Sequence, residues 1–419
     1  MKDINNWDFE EGLKLICDTS KWYEKYQYIE EPHVSPDGQK IAAIVKNEDG
    51  EYQICENDKL WENSFDKIWN LRFSPTNDTV CIVSDTGEWS IAVNDKPWEN
   101  KFDYIWNMKF RPNGSIFAAA QKEMKYLAII NDKPWDTSFN ALSHLTISET
   151  GDNIAACVQT VPLKQADIIT FQEGCFSVSV DGKVWDRNFV NVWNSAFSND
   201  NKKVAAEVRI NLYDYTIAVD GLLWNKTYSC VWKPQFSPSD NSVTAPVKID
   251  DKWKLAKDGT VIWDNNFNQL WAHKYSPEGH KIAAIVSQQF GQWTVAIDGI
   301  CWKKTFGDFV SDLVFSPDGR KVACIGSDKG KRTICVDGKA WDEKFVMVFK
   351  PVFSNNSDRI AAKVERNGLY TIFLDGEPVS EDFSAAWDPI FSPDDKHLLI
   401  KGIGAGKFKG QYLRQSISI

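Results

Sequence analysis

Apolar residues along this chain come in short bursts separated by polar turns, and the bursts are of two kinds. One kind is solid, as in Val322-Ala323-Cys324-Ile325, and fits a strand buried on both faces. The other alternates, as in Trp293-Thr294-Val295-Ala296-Ile297, and fits a strand with one buried face. Solid runs follow a turn such as Ser316-Pro317-Asp318-Gly319, and alternating runs end in an Asp-Gly pair. That pair recurs at 181–182, 220–221, 258–259, 298–299, 337–338 and 375–376, and Asn-Asp-Lys takes its place at 57–59, 94–96 and 131–133. Asp-Gly suits a two-residue hairpin because glycine accepts positive φ without a Cβ clash. Helical spacing of apolar residues is absent after about residue 20.

The bursts are parts of a repeat. Its frame is Trp, an aromatic at +4, often a second Trp at +8, Phe or a substitute at +12, then Ser and often Pro, as in Trp61…Phe65…Trp69…Phe73-Ser74-Pro75. The first Trp stands at 22, 61, 98, 135, 185, 224, 263, 302 and 341, so the steps are 39, 37, 37, 50, 39, 39, 39 and 39. A tenth copy has Val379 in the first place, followed by Phe383, Trp387 and Phe391. The +8 Trp is present as Trp69, Trp106, Trp193, Trp232, Trp271 and Trp387. Each copy holds three clear strands and a fourth around its first Trp. Four antiparallel strands at a period near 40 are the signature of a propeller blade.

The fold expected is therefore all-β, a β-propeller of about ten four-stranded blades. A single ring over residues 21–419 is preferred, because the even step leaves no room for a linker between two smaller rings. The first copy lacks its three preceding strands and the last supplies three, near 387–392, 396–401 and 411–418. The Trp22 strand is expected to complete the last blade and remove an open edge. Residues 1–20 read as a helical or irregular segment, with Ile4, Trp7, Leu13 and Ile16 on one face of a short helix.

Composition sharpens this reading at two points. Nineteen Trp among 419 residues are accounted for by packing. Large aromatics at one fixed place per blade fill the wedge between neighbouring sheets, each removing about 150–250 Å² from water. The residues assigned to this role are Trp61, Trp98, Trp135, Trp185, Trp224, Trp263, Trp302 and Trp341. A formal charge of -10 without a Lys/Arg-rich run argues against nucleic acid and against docking on anionic lipid. No run approaches the ~20 apolar residues of a membrane-spanning helix, so no direct membrane insertion is expected. Asp3, Asp8, Glu10 and Glu11 interrupt the N-terminal stretch, which lacks the features of a signal peptide and points to the cytoplasm. Nine widely spaced cysteines with no C-x-x-C pair read as reduced, buried thiols.

Signatures of chemistry are missing. The chain has no G-x-S-x-G, H-E-x-x-H, Walker A or Rossmann fingerprint. The five histidines, 33, 144, 273, 280 and 397, are scattered, and each reads as a surface or inter-blade hydrogen-bonding group rather than a metal ligand. No catalytic residue, metal site or cofactor is assigned. Two breaks in the repeat are the candidates for contact with a partner. The fourth step exceeds 39 by 11 residues, an excess lying near 161–174 that brings Ile168, Ile169 and Phe171. The second break is the stretch before residue 20, with Trp7. The functional expectation is a non-catalytic scaffold for protein partners. The alternative is a propeller enzyme or small-ligand binder that uses a central channel.

Phe315-Ser-Pro-Asp-Gly-Arg-Lys-Val-Ala323 and Val34-Ser-Pro-Asp-Gly-Gln-Lys-Ile-Ala42 resemble the TolB-type, WD40-like propeller repeat over roughly residues 22–419. The Trp frame at 22 through 341 and the second set at 69 through 387 are similar to those of the tryptophan-rich (TmcD) subunit family of the Tmc transmembrane electron-transfer complex of sulfate-reducing bacteria. That resemblance implies a cofactor-free cytoplasmic accessory subunit, associated with the membrane through its partners. Those partners would be an iron–sulfur subunit and a cytochrome b subunit, which would hold the cofactors.

Overall fold

In the computed structural model, residues 4–47, 49–150, 153–165 and 167–419 are described. The repeat that ends in Trp98 shows how sequence becomes sheet. Its strands are Lys67–Phe73, Thr79–Asp85, Glu88–Val93 and the two-residue outer strand Lys96–Pro97, hydrogen-bonded antiparallel in that order. The solid run is the second strand, buried from Thr79 to Ser84, because sheet neighbours and side-chain neighbours enclose it on every side. In the alternating third strand only the centre, Ser90 to Ala92, is buried.

The turn between the third and outer strands is locked by its first residue. Asn94 and Asp95 both have positive φ, 47° and 72°, the left-handed pair of a type I′ hairpin. The Asn94 N–H donates to the Thr79 carbonyl, and Asn94 Oδ1 accepts from the Thr79 N–H at 2.9 Å. The same double bond joins Asn57 to Ile41, Asp181 to Ile154, Asp220 to Val204, Asp258 to Val243, Asp298 to Ile282, Asp337 to Val322 and Asp375 to Ile360. A short carboxylate or amide thus fixes where each second strand begins.

The outer tryptophans do two things. The N–H of Trp61, Trp98, Trp135, Trp185, Trp224, Trp302 and Trp341 donates to a third-strand carbonyl of the same sheet. Their rings then receive the Asp-Gly turn of the following repeat. A Cβ added to Gly221 would stand 3.6 Å from Trp185, one on Gly259 3.5 Å from Trp224, one on Gly299 3.6 Å from Trp263, and one on Gly376 3.6 Å from Trp341. Trp61, Trp224 and Trp263 are buried, and Trp98, Trp135, Trp185, Trp302 and Trp341 are half-buried.

The chain divides into two compact units, one formed by 1–116 with 316–419 and the other by 117–315. In the second unit, complete sheets begin with Leu142–Ile147, Asn191–Phe197, Cys230–Val231 and Gln269–Tyr275, and each packs on the next in chain order. In the first unit, the last repeat supplies Phe383–Phe391, His397–Gly404 and Gln411–Ser418, and its outer place is filled from the other end of the chain.

The strand that fills it corrects the sequence reading. Gly12–Asp18 pairs antiparallel with Gln411–Ser418, whereas Trp22 sits on the short helix Ser20–Lys25. The two assignments were reversed because the edge that selects the strand lies some 400 positions away in the chain, at Gln411–Ser418, and only tertiary pairing reveals it. Asp18 Oδ1 accepts from Ser20 Oγ and N–H and turns the chain into the helix. Trp22 remains buried among Cys17, Ile41, Val45 and Tyr412, and its indole N–H donates to Asp58.

The last sheet also grips the first repeat through side chains. Lys401 Nζ, Arg414 Nε and Tyr412 Oη donate to three consecutive carbonyls, Pro36, Asp37 and Gly38, at 3.0, 2.8 and 3.0 Å. All three side chains are buried, and burial pushes the Lys401 ammonium down to about 8.

Trp224→Ala is expected to lower stability by about 3–5 kcal/mol, as for other buried aromatics. Trp224→Phe should retain much of the loss. Denaturant titration of the three proteins measures this, and equal stability of Trp224→Ala and wild type would refute the wedge role.

Candidate interaction surface

Within the second unit, each described turn between a second and a third strand stands at the end of its sheet where the next sheet's first strand begins. The outer stretch of one sheet runs back along the third strand, as Phe189 does in bridging to Phe176, and the next first strand starts there. That strand opens opposite the end of its own second strand, as in Asn191 facing Arg209 and Gln269 facing Ser287. In the second unit, the turns at this end carry exposed apolar residues on four sheets, while the turn between Val243–Ile249 and Lys252–Lys257 is the polar pair Asp250-Asp251. Met124 and Tyr213 are exposed tips, Phe290 projects wholly into solvent, and Ile168 and Ile169 are 63% and 71% exposed. The corresponding turns of the first unit hold Asn47 and Gly50, Thr86 and Gly87, Lys329 and Gly330, and Asn367 and Gly368.

The insertion is an anchored feature. The Thr160 N–H donates to the Cys175 carbonyl, Cys175 N–H to the Phe189 carbonyl, and Thr160 Oγ1 to Asn188 Oδ1 at 2.8 Å. Between these ties runs the helix Ile168–Glu173, capped by Asp167 Oδ1 accepting from the Thr170 N–H at 3.1 Å. Gly174 ends it at φ 104°, where a Cβ would press on the Phe189 backbone. This helix lies in a region where no helical spacing was read, since six residues are too few to show a period. Phe171 is half-buried and holds the helix down, whereas Ile168 and Ile169 face outward. Trp7 belongs to the other unit. It is partly buried and stacks on Phe9 at 6.4 Å.

Behind the tips lies a second aromatic set. Trp193 stacks on Tyr215 at 5.9 Å, Trp232 on Trp253 at 5.3 Å and Trp271 on Trp293 at 4.8 Å. Each pair joins the +8 residue of the frame to the first or second residue of the third strand. Trp232 and Trp271 remain about two-fifths exposed, which widens the apolar surface. Sequence reasoning missed Tyr213, Phe290 and these pairings. The available signal was an apolar residue in a turn whose counterparts are polar.

The polar interior offers little for chemistry. Among the described residues, no group of three His, Cys, Asp or Glu could hold a metal ion. His273 corrects the expectation of a surface or inter-blade histidine only in its burial. It is 2% exposed, bonded to Thr244 Oγ1 at 3.0 Å, and burial pushes it down to about 4. Burial likewise raises the thiols of Cys17, Cys55, Cys81 and Cys157. A cleft of about 640 Å³ in the second unit is lined by Lys233, Lys274, Glu149 and Tyr275 among others. Lys274 Nζ is committed to the Leu313 carbonyl at 2.8 Å.

Among solved structures, the chain is similar to a crystal structure of the eukaryotic initiation factor, at 13% identity and a TM-score of 0.50, over 78% of this chain and 90% of that one. It is also similar to the Cps50 (Swd1) β-propeller domain of Myceliophteria thermophila, at 12% identity and a TM-score of 0.31, over 67% and 98% of the two chains. No protein-family model and no curated protein matches. The fold class is all-β, a propeller type built of four-stranded antiparallel sheets, as the strand order of successive repeats shows. Likeness at such identities concerns the fold and not the activity.

Glu207 gives the interior a measurable signature. It is buried, accepts one bond from Asn194 Nδ2 at 3.3 Å, and burial pushes its carboxyl up to about 7. The folded state therefore holds a proton that the unfolded chain releases near pH 4.5, so stability should fall as pH rises from about 4.5 to 7. Glu207→Gln should flatten that slope and gain about 2–3 kcal/mol at pH 8. Denaturant midpoints at several pH values decide it, and parallel profiles for the two proteins would contradict the assignment.

Proposed function

We propose that this chain is a non-catalytic interaction scaffold that receives a protein partner on the turn surface of the second unit. The observation that supports the reading most is the contrast between units. Exposed Ile168, Ile169, Tyr213 and Phe290 stand at a sheet end where four turns of the first unit, at Asn47, Thr86, Lys329 and Asn367, are polar. Exposed aromatic and aliphatic side chains backed by stacked indoles are the composition of an interface centre. A propeller fold hosts many functions, and use as a rigid platform is one of them.

Within that reading, the finer assignment is an accessory subunit of a membrane-associated electron-transfer complex, on the cytoplasmic side. Iron–sulfur and cytochrome b subunits are the partners, and they carry the cofactors. The support for this is the resemblance of the two tryptophan sets. Among the described residues no helix is long and apolar enough to cross a membrane, so attachment would run through those partners.

Affinity purification of the tagged chain from native membranes in mild detergent tests both levels. Wild type and a control, Leu222→Asp at the opposite sheet end, should recover redox subunits in constant ratio. Ile168→Asp with Ile169→Asp should lower that recovery at least about tenfold. Recovery of wild type alone would sink the scaffold reading, and redox-free partners would sink the finer one.

A further inference from the structure

Among the described residues, most outer strands are only two residues long, including the apolar pairs Leu222–Leu223 and Ile300–Cys301, and one is longer and regular over its first half. The outer strands Lys59–Leu60, Lys96–Pro97, Lys133–Pro134, Lys183–Val184, Lys339–Ala340 and Glu377–Pro378 are two residues long and carry lysine, proline or glutamate. Short length, charge and proline are the means by which sheets avoid edge-to-edge pairing. The longer outer strand Thr260–Phe267 breaks register twice against its neighbour. Gly12–Asp18 differs from all of these. It spans seven residues, contains no proline, pairs on one side only among the described residues, and is regular from Gly12 to Leu15, with one register break between Leu15 and Cys17 and its one lysine, Lys14, tied to Asp8. Leu13 and Leu15 are 47% and 56% exposed. Beside Leu13 lies a recess of about 540 Å³ walled in part by Leu369, Phe383, Phe408 and Leu413.

We propose that this edge is a self-association site, at which a second copy of the chain adds its own Gly12–Asp18 strand antiparallel to the first. A row of free backbone N–H and C=O groups selects an extended main chain. The choice of a second copy follows from charge. Glu10 and Glu11 stand exposed just before the strand. At its far end, Thr19 N–H bonds the Gly410 carbonyl, and exposed Lys21, Lys25 and Lys409 outnumber Glu24. The Asp18 carboxylate at that end is taken up by Ser20, and Lys14 is paired with Asp8. Antiparallel pairing about a two-fold axis therefore sets the acidic start of each strand against the basic finish of the other, and places the leucines of both copies together. Such an isologous contact closes on itself. It uses none of the turn residues of the second unit, so it stands apart from the scaffold reading.

Sedimentation velocity of the full chain from about 1 to 100 µM reads the outcome. Wild type should form dimers. Leu13→Asp with Leu15→Asp should weaken dimerisation on the order of 100-fold without moving the melting temperature, since both side chains are exposed in one copy. Glu10→Lys with Glu11→Lys should weaken it about tenfold, and adding Lys21→Glu with Lys409→Glu should restore it. If the leucine variant melts early, the charge swap decides alone. A wild type that stays monomeric at the highest concentration overturns the proposal, as do dimers indifferent to the leucines or to the charge swap.

Discussion

An indole held between two successive sheets is the contact on which the remaining structure depends. Its backbone N–H is fixed to the third strand of its own sheet, as in Trp185 to Val178 and Trp224 to Ile217. Its ring receives the glycine of the next hairpin turn, where a Cβ would come to 3.6 Å or less at Gly221 and Gly259. One side chain therefore sets both the position and the spacing of the following sheet. Gly259 is held a second way, by Tyr228 Oη donating to its carbonyl at 3.0 Å. The +4 aromatic and the first Trp thus act on the same turn from two sides. Apolar area removed from water at this seam is large per residue, and it recurs with each copy.

Much of this was legible because it is local. A tight turn requires its Asp-Gly pair at the turn itself, a doubly buried strand requires a solid apolar run, and both needs are written where they act. The strand at Gly12–Asp18 and the helix at Ser20–Lys25 were read the wrong way round for the opposite reason. Leu13 and Leu15 are compatible with either state, and the deciding partner is Gln411–Ser418 at the other end of the chain. Of the surface, the insertion was visible by subtraction, since a step of 50 among steps near 39 needs only counting. Of the three apolar residues it brings, Ile168 and Ile169 are exposed and Phe171 is half-buried. Tyr213 and Phe290 left no arithmetic trace, because a single apolar residue in a turn changes no spacing.

Three charges share one position of the repeat. The fourth residue of the second strand is apolar in Ile44, Ile82, Cys157, Ile285 and Ile325 but is Glu207 or Lys363 in two other copies, and Lys401, the fifth residue of His397–Gly404, takes the equivalent place in the last. Each is handled differently. Lys363 Nζ donates to the Ala386 carbonyl at 2.9 Å and lies 3.9 Å over the Phe349 ring. Lys401 reaches the Pro36 carbonyl and joins the grip of the last sheet on the first repeat. Glu207 has one amide donor, so the neutral acid is the form that costs least there. The two lysines gain a carbonyl because they can reach into the next repeat. A carboxylate at the same depth finds mainly acceptors, since the carbonyls exposed where first strands bulge cannot donate.

The seam between sheets also explains why the surface can vary. Stability resides in the outer tryptophans, the Asp-Gly turns and the buried second strands. None of these lies at the turns joining second to third strands, so residues there are free to change without weakening the stack. The second unit uses that freedom for exposed Ile168, Ile169, Tyr213 and Phe290, and keeps the supporting turns unchanged at Asp181, Asp220 and Asp298. The insertion obeys the same rule. Its eleven extra residues enter between anchors at Thr160 and Cys175, and the bridge of Phe189, the +4 aromatic, to Phe176 is kept. A platform made this way can take on a new contact by altering one turn at a time, while the spacing set by the indoles holds the neighbouring tips in place.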